Sequence, residues 1–388
     1  MAVRTDRNLQ LLFGSLFFWS FGIGLYDSLL PIYARQLGAS PIQLGTLFTL
    51  RHLALAAGFL VGWAVADRLS PRVVIGASWI SSTPVPLLLA AAPSYGWLLP
   101  GLLLYEFAYF GLPAVHAYIT RRVPPSDLAS TFGIMGTITS GGFVIAPTIG
   151  GFVAEQWGIR ATLGLAAVFY LLSTTLILRV RHDEGGTAVA EASRSGSWAE
   201  MRPLWPAMWI YAGVTLAILM TNPFVSPYLR EVRGLSLSEI GFLGSMVAVG
   251  GAALTVFAGR LGDRLGIAPT LAGALLMFAT GILLIVYAPV ALLPVFAIIR
   301  TRSPLFNLGH AMIGARAPSA MVGRAFAMAG VLSALVASVG SLVGGYAYDA
   351  NPVLPLAISA GLAVVIAVGL LTLRPVTGSA RAAGDAVA

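Results

Sequence analysis

The sequence is written twice. Displaced by 196 positions, Pro31, Gly38, Ser40, Gly45, Asp67, Arg68 and Leu69 fall on Pro227, Gly234, Ser236, Gly241, Asp263, Arg264 and Leu265. Further along the displacement is 194, where Leu98, Leu99 and Pro100 fall on Leu292, Leu293 and Pro294. At that offset His116, Arg122, Pro124, Phe132, Gly150 and Gly151 meet His310, Arg316, Pro318, Phe326, Gly344 and Gly345. Both copies consist of long apolar runs, so one half's architecture must be repeated by the other.

The medium follows from composition: 57% of residues are hydrophobic and 10% charged, with a mean hydropathy of +0.86. A soluble domain of this length exposes far more charge. A membrane span needs roughly 20 apolar residues. Six such runs occupy 8–33, 42–64, 73–92, 96–118, 131–154 and 160–179, and six more occupy 204–228, 238–258, 267–288, 289–312, 323–347 and 352–373. The fold expected is an all-α membrane protein of twelve transmembrane helices, in two six-helix halves related by pseudo-twofold symmetry. Residues 1–181 form the first half and 204–374 the second. Residues 182–203 read as a solvated cytoplasmic linker and 375–388 as a disordered tail. Secondary carriers are built from such repeats, with substrate held between the halves.

All 23 basic residues are Arg, which fixes the expected orientation. With the N-terminus inside, cytoplasmic segments collect Arg4, Arg7, Arg68, Arg72, Arg121, Arg122, Arg179, Arg181, Arg194, Arg202, Arg260, Arg264, Arg316, Arg324, Arg374 and Arg381. The other side holds only Arg35, Arg160, Arg230 and Arg233. This asymmetry places both termini in the cytoplasm of a multi-pass inner-membrane protein. The high net charge is therefore topological, with no basic surface left for nucleic acid. The first run is too long for a simple signal core and reads as a retained helix. Disulfides and thiolate chemistry are excluded by the absence of Cys. No metal cluster is visible with four His. No phosphate-binding G-x-x-x-x-G-K-S/T loop occurs, and no cofactor or enzymatic nucleophile–base pairing is expected.

Two loops carry the best-defined motif. The second copy reads Gly259-Arg260-Leu261-Gly262-Asp263-Arg264-Leu265-Gly266, and the first reads Trp63-Ala64-Val65-Ala66-Asp67-Arg68-Leu69-Ser70-Pro71-Arg72. An Asp-Arg pair at a helix end can hold a neighbouring helix terminus in one conformation and release it in another. A charged turn obeying the positive-inside rule is the plainer reading. The fifth run carries Gly133, Gly142, Ala146, Pro147, Gly150 and Gly151, small residues that let helices approach, with a proline that kinks.

These loops resemble the G-x-L-a-D-R-x-G-R signature of the major facilitator superfamily, with Trp63 and Ser70 departing from its glycines. The fifth run is similar to the antiporter motif of that family's drug:proton members, with Ala146 where Gly is usual. The resemblance implies alternating access and antiport, so the expected activity is proton-coupled efflux of small amphipathic molecules by a monomer in the bilayer. One departure favours the alternative, proton-coupled uptake of a small organic anion or nutrient. The Arg usual in the fourth span of exporters is absent, and Glu106 lies in that stretch. A receptor or scaffold that transports nothing is the remote alternative.

Ionisable residues within spans are site candidates. They are Asp27, Arg51, His52, Glu106, Arg300 and Arg302. In the family, spans one, four, seven and ten line the cavity, which implies that Glu106 faces Arg300. Glu106 then binds a proton or cation, with Arg300 or Arg302 as competing counter-ion. Asp27–Arg51 reads either as a coupling group or as a permanent buried pair. Alternatively the Arg residues hold an anionic substrate directly. His52 is either a packing residue or a proton carrier. Tyr26, Tyr105, Tyr109, Asn222 and Asn307 could supply hydrogen bonds to the cavity. His116 and His310 are expected to bond helix-end carbonyls near Arg121, Arg122 and Arg316.

Overall fold

The computed structural model describes residues 6–66, 68–180, 202–317 and 322–372. Residues 182–201 of the linker, the tail and Asp67 lie outside these residues. The first half contributes helices α1 (Arg7–Tyr26), α2 (Leu30–Gln36), α3 (Pro41–Ala66), α4 (Pro71–Ser82), α5 (Val85–Ala90), α6 (Leu99–Phe107), α7 (Leu112–Arg122), α8 (Pro125–Trp157) and α9 (Ile159–Leu178). The second contributes α10 (Trp205–Glu231), α11 (Leu237–Leu265), α12 (Ile267–Tyr287), α13 (Leu293–Ile299), α14 (Ser303–Gly314), α15 (Val322–Ala350) and α16 (Leu354–Thr372). Among the described residues eleven helical segments are long and apolar enough to cross a membrane. The tenth predicted span departs from a continuous helix. It is split into α13 and α14, and neither is long enough to cross alone.

The helix ends are written locally. Asp6 caps α1 by accepting from the Asn8 and Leu9 amides. Ser236 and Glu239 close a capping box at α11. Pro31, Pro113 and Pro304 each occupy the first turn of the helix after an interruption. Proline fits there because that turn's N–H groups have no intrahelical partner. Large apolar side chains remain exposed on the outer faces, Leu60, Phe257 and Val365 among them. In a membrane those faces meet lipid. Trp97, Trp157 and Tyr287 are exposed at helix ends on one side, as interfacial aromatics are.

The repeat is visible in contacts as well as letters. His116 meets the edge of Phe132 at 5.6 Å and 81°. Its counterpart His310 meets Phe326 at 5.7 Å and 85°. The expected bonds from these histidines to helix-end carbonyls are replaced by ring contacts, and His310 also reaches the Tyr211 hydroxyl at 2.9 Å. Each histidine lies before the last turn of its helix, where its ring faces a neighbouring aromatic rather than the terminal carbonyls.

Across the halves α3 packs on α15 and α11 on α8. Each crossing is centred on a glycine pair. A Cβ on Gly45 would stand 3.0 Å from the Gly345 Cα, and one on Gly151 would stand 2.9 Å from the Gly241 Cα. Gly45 and Gly241 are repeat equivalents, as are Gly345 and Gly151, so the two crossings are one contact used twice. On the axis itself Arg35 Nε donates to Glu231 Oε1 at 2.8 Å, and the two positions are 196 residues apart. A residue on a twofold axis meets its own equivalent, and here the pair has diverged into opposite charges.

These contacts lie toward one side of the bundle, the far side, opposite the end where α1 begins. The Tyr348 hydroxyl donates to Glu231 there, and the Leu237 amide to Glu155. The Thr148 hydroxyl donates to Ser245 Oγ at 2.7 Å. The main apolar core runs across both halves. At the near side Leu12, Val74, Trp79, Val115 and Ile119 form a separate cluster made by the first half alone.

Candidate functional site

The best-defined polar cluster lies where α1, α3 and α6 converge. A Cβ on Gly58 would stand 3.0 Å from the Glu106 carbonyl oxygen, and one on Gly62 would stand 3.0 Å from the Phe110 Cα. These two glycines let α3 lie directly on the backbone of residues 106–110. Arg51, about two turns from Gly58, then reaches two carboxylates. Its Nε donates to Glu106 Oε1. Its Nη1 stands 3.7 Å from Asp27 Oδ1. The guanidinium also lies over the rings of Phe48 at 5.3 Å and Tyr105 at 5.8 Å, a cation–π contact that strengthens away from water.

Exposure differs within the cluster: the Glu106 side chain is 6% exposed and that of Asp27 28%. Asp27 follows the last turn of α1, beside the interruption before α2. Glu106 ends α6, just before a short 3-10 turn at Ala108–Gly111. Two carboxylates and one guanidinium leave a single negative charge in excess. One added proton cancels it.

The expected pairing of Glu106 with Arg300 is not formed; Arg51 takes that carboxylate. The glycine-lined approach of α3 brings a guanidinium within bonding range from inside the same half. Arg300 and Arg302 have no carboxylate within 4.0 Å among the described residues. Both lie in the interruption between α13 and α14. Arg302 Nη1 donates to Asn222 Oδ1 at 3.1 Å. His52 is buried against the facing half, with Nδ1 3.3 Å from Ser341 Oγ.

The remaining candidates divide. Tyr105 and Tyr109 join hydroxyls at 3.3 Å. Trp19 stacks on Tyr105 and meets Tyr109 edge-on, and the three rings line a small cleft with Ser78 and Ser82. Tyr26 is 1% exposed, with its hydroxyl 3.3 Å from that of Tyr170. It belongs to the core of the first half. Asn307 is exposed. In the motif of the fifth span, Gly142, Ala146 and Gly150 face α1, while Pro147 and Gly151 face α11. α8 runs unbroken through Pro147. Gly133 has open space around it.

In the loop motifs, Arg68, Arg72, Gly259, Asp263 and Arg264 are exposed, and Asp263 and Arg264 form no ion pair among the described residues. Gly266 ends α11 at φ 92°, a conformation favouring glycine. The four far-side arginines are all engaged. Arg35 and Arg230 cap the nearby turns at Ala39 and Leu235. Arg160 bonds the Ala92 carbonyl, and Arg233 bonds Ile285 and Val286. Sequence reasoning missed Trp19, Tyr170 and the Arg35–Glu231 pair, although the 196-residue offset places Arg35 opposite Glu231.

A bundle of repeated halves with buried charged groups within its spans suits a carrier, and family comparison decides which kind. A family model described as Major Facilitator Superfamily matches residues 12–221 and again 207–386. The chain belongs to the Major Facilitator Superfamily. It is therefore a multi-pass membrane transporter and not an enzyme. Among relatives of this superfamily, the multidrug resistance protein MdtG of Klebsiella pneumoniae (strain 342) is 27% identical over 283 residues, covering 68% of this chain and 67% of the relative. A multi-drug resistance efflux pump PmrA homolog of Lactococcus lactis subsp. lactis (strain IL1403) is 25% identical over 371 residues, 88% of each chain. The nucleoside transporter NupG shares the fold with a TM-score of 0.77 at 15% identity, covering 95% of this chain and 99% of that one.

Proposed function

We propose that the chain is a proton-coupled exporter of small amphipathic molecules, working by alternating access across the inner membrane with both termini in the cytoplasm. The observation that carries the coupling is the shared guanidinium of Asp27, Arg51 and Glu106. A buried cluster with one charge in excess binds a single proton without stranding an opposite charge, which is the requirement for a reversible proton site in a low-dielectric interior. Asp27 is the more exposed carboxylate and the one a proton or a cationic substrate group meets first. A cation there competes with the proton, and competition at one site is the thermodynamic basis of exchange.

Outward direction is supported by the relatives, which are named as resistance and efflux proteins. The far-side contacts, read as the outer face by the distribution of Arg, support a state closed outside. Exposed Asp263 and Arg264 at the near side fit the same state, with the loop latch released. The aromatic cleft of Trp19, Tyr105 and Tyr109 offers apolar surface beside the charged cluster, as an amphipathic ligand requires.

The test uses proteoliposomes with an imposed pH gradient and a fluorescent amphipathic amine. We expect proton flux that depends on the amine, and amine movement opposite to the proton. Amine movement indifferent to the gradient would remove proton coupling, and movement in the same direction would reverse the assignment to uptake.

A further inference from the structure

The interruption of the tenth span has no counterpart in charge within its own half. Residues 300–302 place two guanidiniums and a hydroxyl where α13 stops and α14 starts. Arg300 Nε and Thr301 Oγ1 are buried without a hydrogen-bond partner, and Thr301 is 1% exposed. α14 is twelve residues long and begins with no side-chain cap; with Pro304 in its first turn, the Ser303 and Leu305 amides are the ones left to another acceptor. The neighbouring helices approach the break closely. A Cβ on Gly251 of α11 would stand 2.8 Å from Ser303 Oγ and 3.1 Å from Thr301 Oγ1, and one on Gly281 of α12 would stand 3.0 Å from the Arg300 amide. The two glycines let α11 and α12 lie directly against the break, with no side chain between their backbones and these polar groups.

Each unpaired charge inside a membrane is costly, a few kcal/mol on insertion scales. The first half balances Arg51 with carboxylates, whereas among the described residues Arg300 and Arg302 have none within 4.0 Å. The unpartnered buried side-chain atoms at this break, Arg300 Nε and Thr301 Oγ1, can both donate. Guanidinium forks, hydroxyls and helix-start amides together match a planar or tetrahedral oxyanion.

We propose that Arg300, Thr301, Arg302 and Ser303, at the break between α13 and α14, form an anion subsite that takes the carboxylate, sulfonate or phosphonate of a small amphipathic substrate. The inference rests on the chain being a carrier and names the substrate class that the proposed exporter prefers. A substrate bearing an amine as well presents it to Asp27, in the proton's place. The two ends of a zwitterion are thus received by opposite halves of the molecule.

Equilibrium binding tests this without any gradient. The protein is placed in phosphatidylcholine nanodiscs, and 9-anthracenecarboxylate is compared with 9-anthracenecarboxamide, which has the same ring and shape but no charge. Binding is read by fluorescence polarisation. We expect the carboxylate to bind at least roughly tenfold tighter, equivalent to about 1.4 kcal/mol. Arg302→Gln should erase most of that preference by weakening the carboxylate alone, and Arg302→Lys should keep part of it. Ser303→Ala, a small change at the start of α14, should reduce the preference several-fold with an unchanged melting temperature, so a folding defect in one variant does not decide the matter. Equal binding of the two probes, or a preference that survives Arg302→Gln, overturns the subsite. Adding phosphatidylglycerol to the discs should leave the preference intact; its loss would assign the groove to a lipid headgroup instead. Gradient-driven movement of an amphipathic amine in proteoliposomes is scored separately. Intact coupling without carboxylate preference sinks the subsite alone, and preference without coupling sinks the exporter reading.

Discussion

At the residue scale the molecule turns on how Arg51 is shared. Removing it leaves Glu106 buried without a partner, and breaking such a pair destabilises by about 3–5 kcal/mol. Arg51→Gln is therefore expected to lower the melting temperature in detergent sharply, and Arg51→Gln with Glu106→Gln to recover much of the loss. A double variant no more stable than the single one would show that the pair is not coupled. A second residue-scale expectation concerns Asp6. Its burial opposes ionisation, but Arg122 and the Asn8 and Leu9 amides outweigh that and hold the carboxyl below its ordinary value of 3.8. A depressed carboxyl stabilises the fold above the ordinary value, and that contribution disappears as pH falls through the depressed one. The gap in melting temperature between wild type and Asp6→Asn should thus be constant at neutral pH and close below about pH 3.8. The charged residues themselves were legible, because an ionisable side chain in an apolar run is conspicuous. Their partners were not. Which carboxylate Arg51 takes depends on how near α3 can lie to α6, and that is set by Gly58 and Gly62, which in sequence are only two glycines among many.

At the element scale, interruptions place the chemistry. Span four breaks after Glu106 and span ten breaks at Arg300–Arg302, corresponding positions in the two halves. Broken helices in matching places are a recurrent pointer to a carrier's binding region, since freed backbone groups are tolerated only where they face protein or a cavity. The sequence carried the signal in Pro113 and Pro304, yet the apolar runs hid it, because hydropathy reports length and not continuity. The small residues of the fifth span also differ from one another in ways spacing cannot reveal. Gly151 lies against Gly241, whereas nothing comes within 4 Å of a Cβ placed on Gly133. Gly151→Val should push α8 off α11 and reduce transport at least about tenfold, by the overpacking penalty of roughly 1–3 kcal/mol. Gly133→Ala should leave flux unchanged. Equal effects from both would mean that the motif works by sequence spacing alone.

At the scale of the whole molecule, duplication is the scaffold and divergence is the function. The paired histidine–phenylalanine contacts and the paired glycine crossings repeat faithfully, so twofold architecture could be read from letters alone. Arg35 facing Glu231 shows the same symmetry carrying opposite charges at the far-side closure. If that closure must open during each cycle, fixing it shut stops transport. Thr148 and Ser245 have hydroxyls 2.7 Å apart across the halves, and the chain has no Cys to interfere. Thr148→Cys with Ser245→Cys should lose nearly all flux on oxidation and regain it on reduction. Undiminished flux with the disulfide formed would rule out separation of α8 and α11 at that level.

The central claim is that Asp27, Arg51 and Glu106 form the proton site, and one comparison reaches it directly. Purified wild type and Glu106→Gln are reconstituted in proteoliposomes, and each is assayed twice with the same amphipathic amine. One assay is driven by a pH gradient; the other is counterflow exchange with no gradient. We expect Glu106→Gln to lose gradient-driven accumulation while exchange continues at a similar rate, because the variant still binds and alternates but no longer answers to the proton. Gradient-driven accumulation at the wild-type level in Glu106→Gln would contradict the assignment.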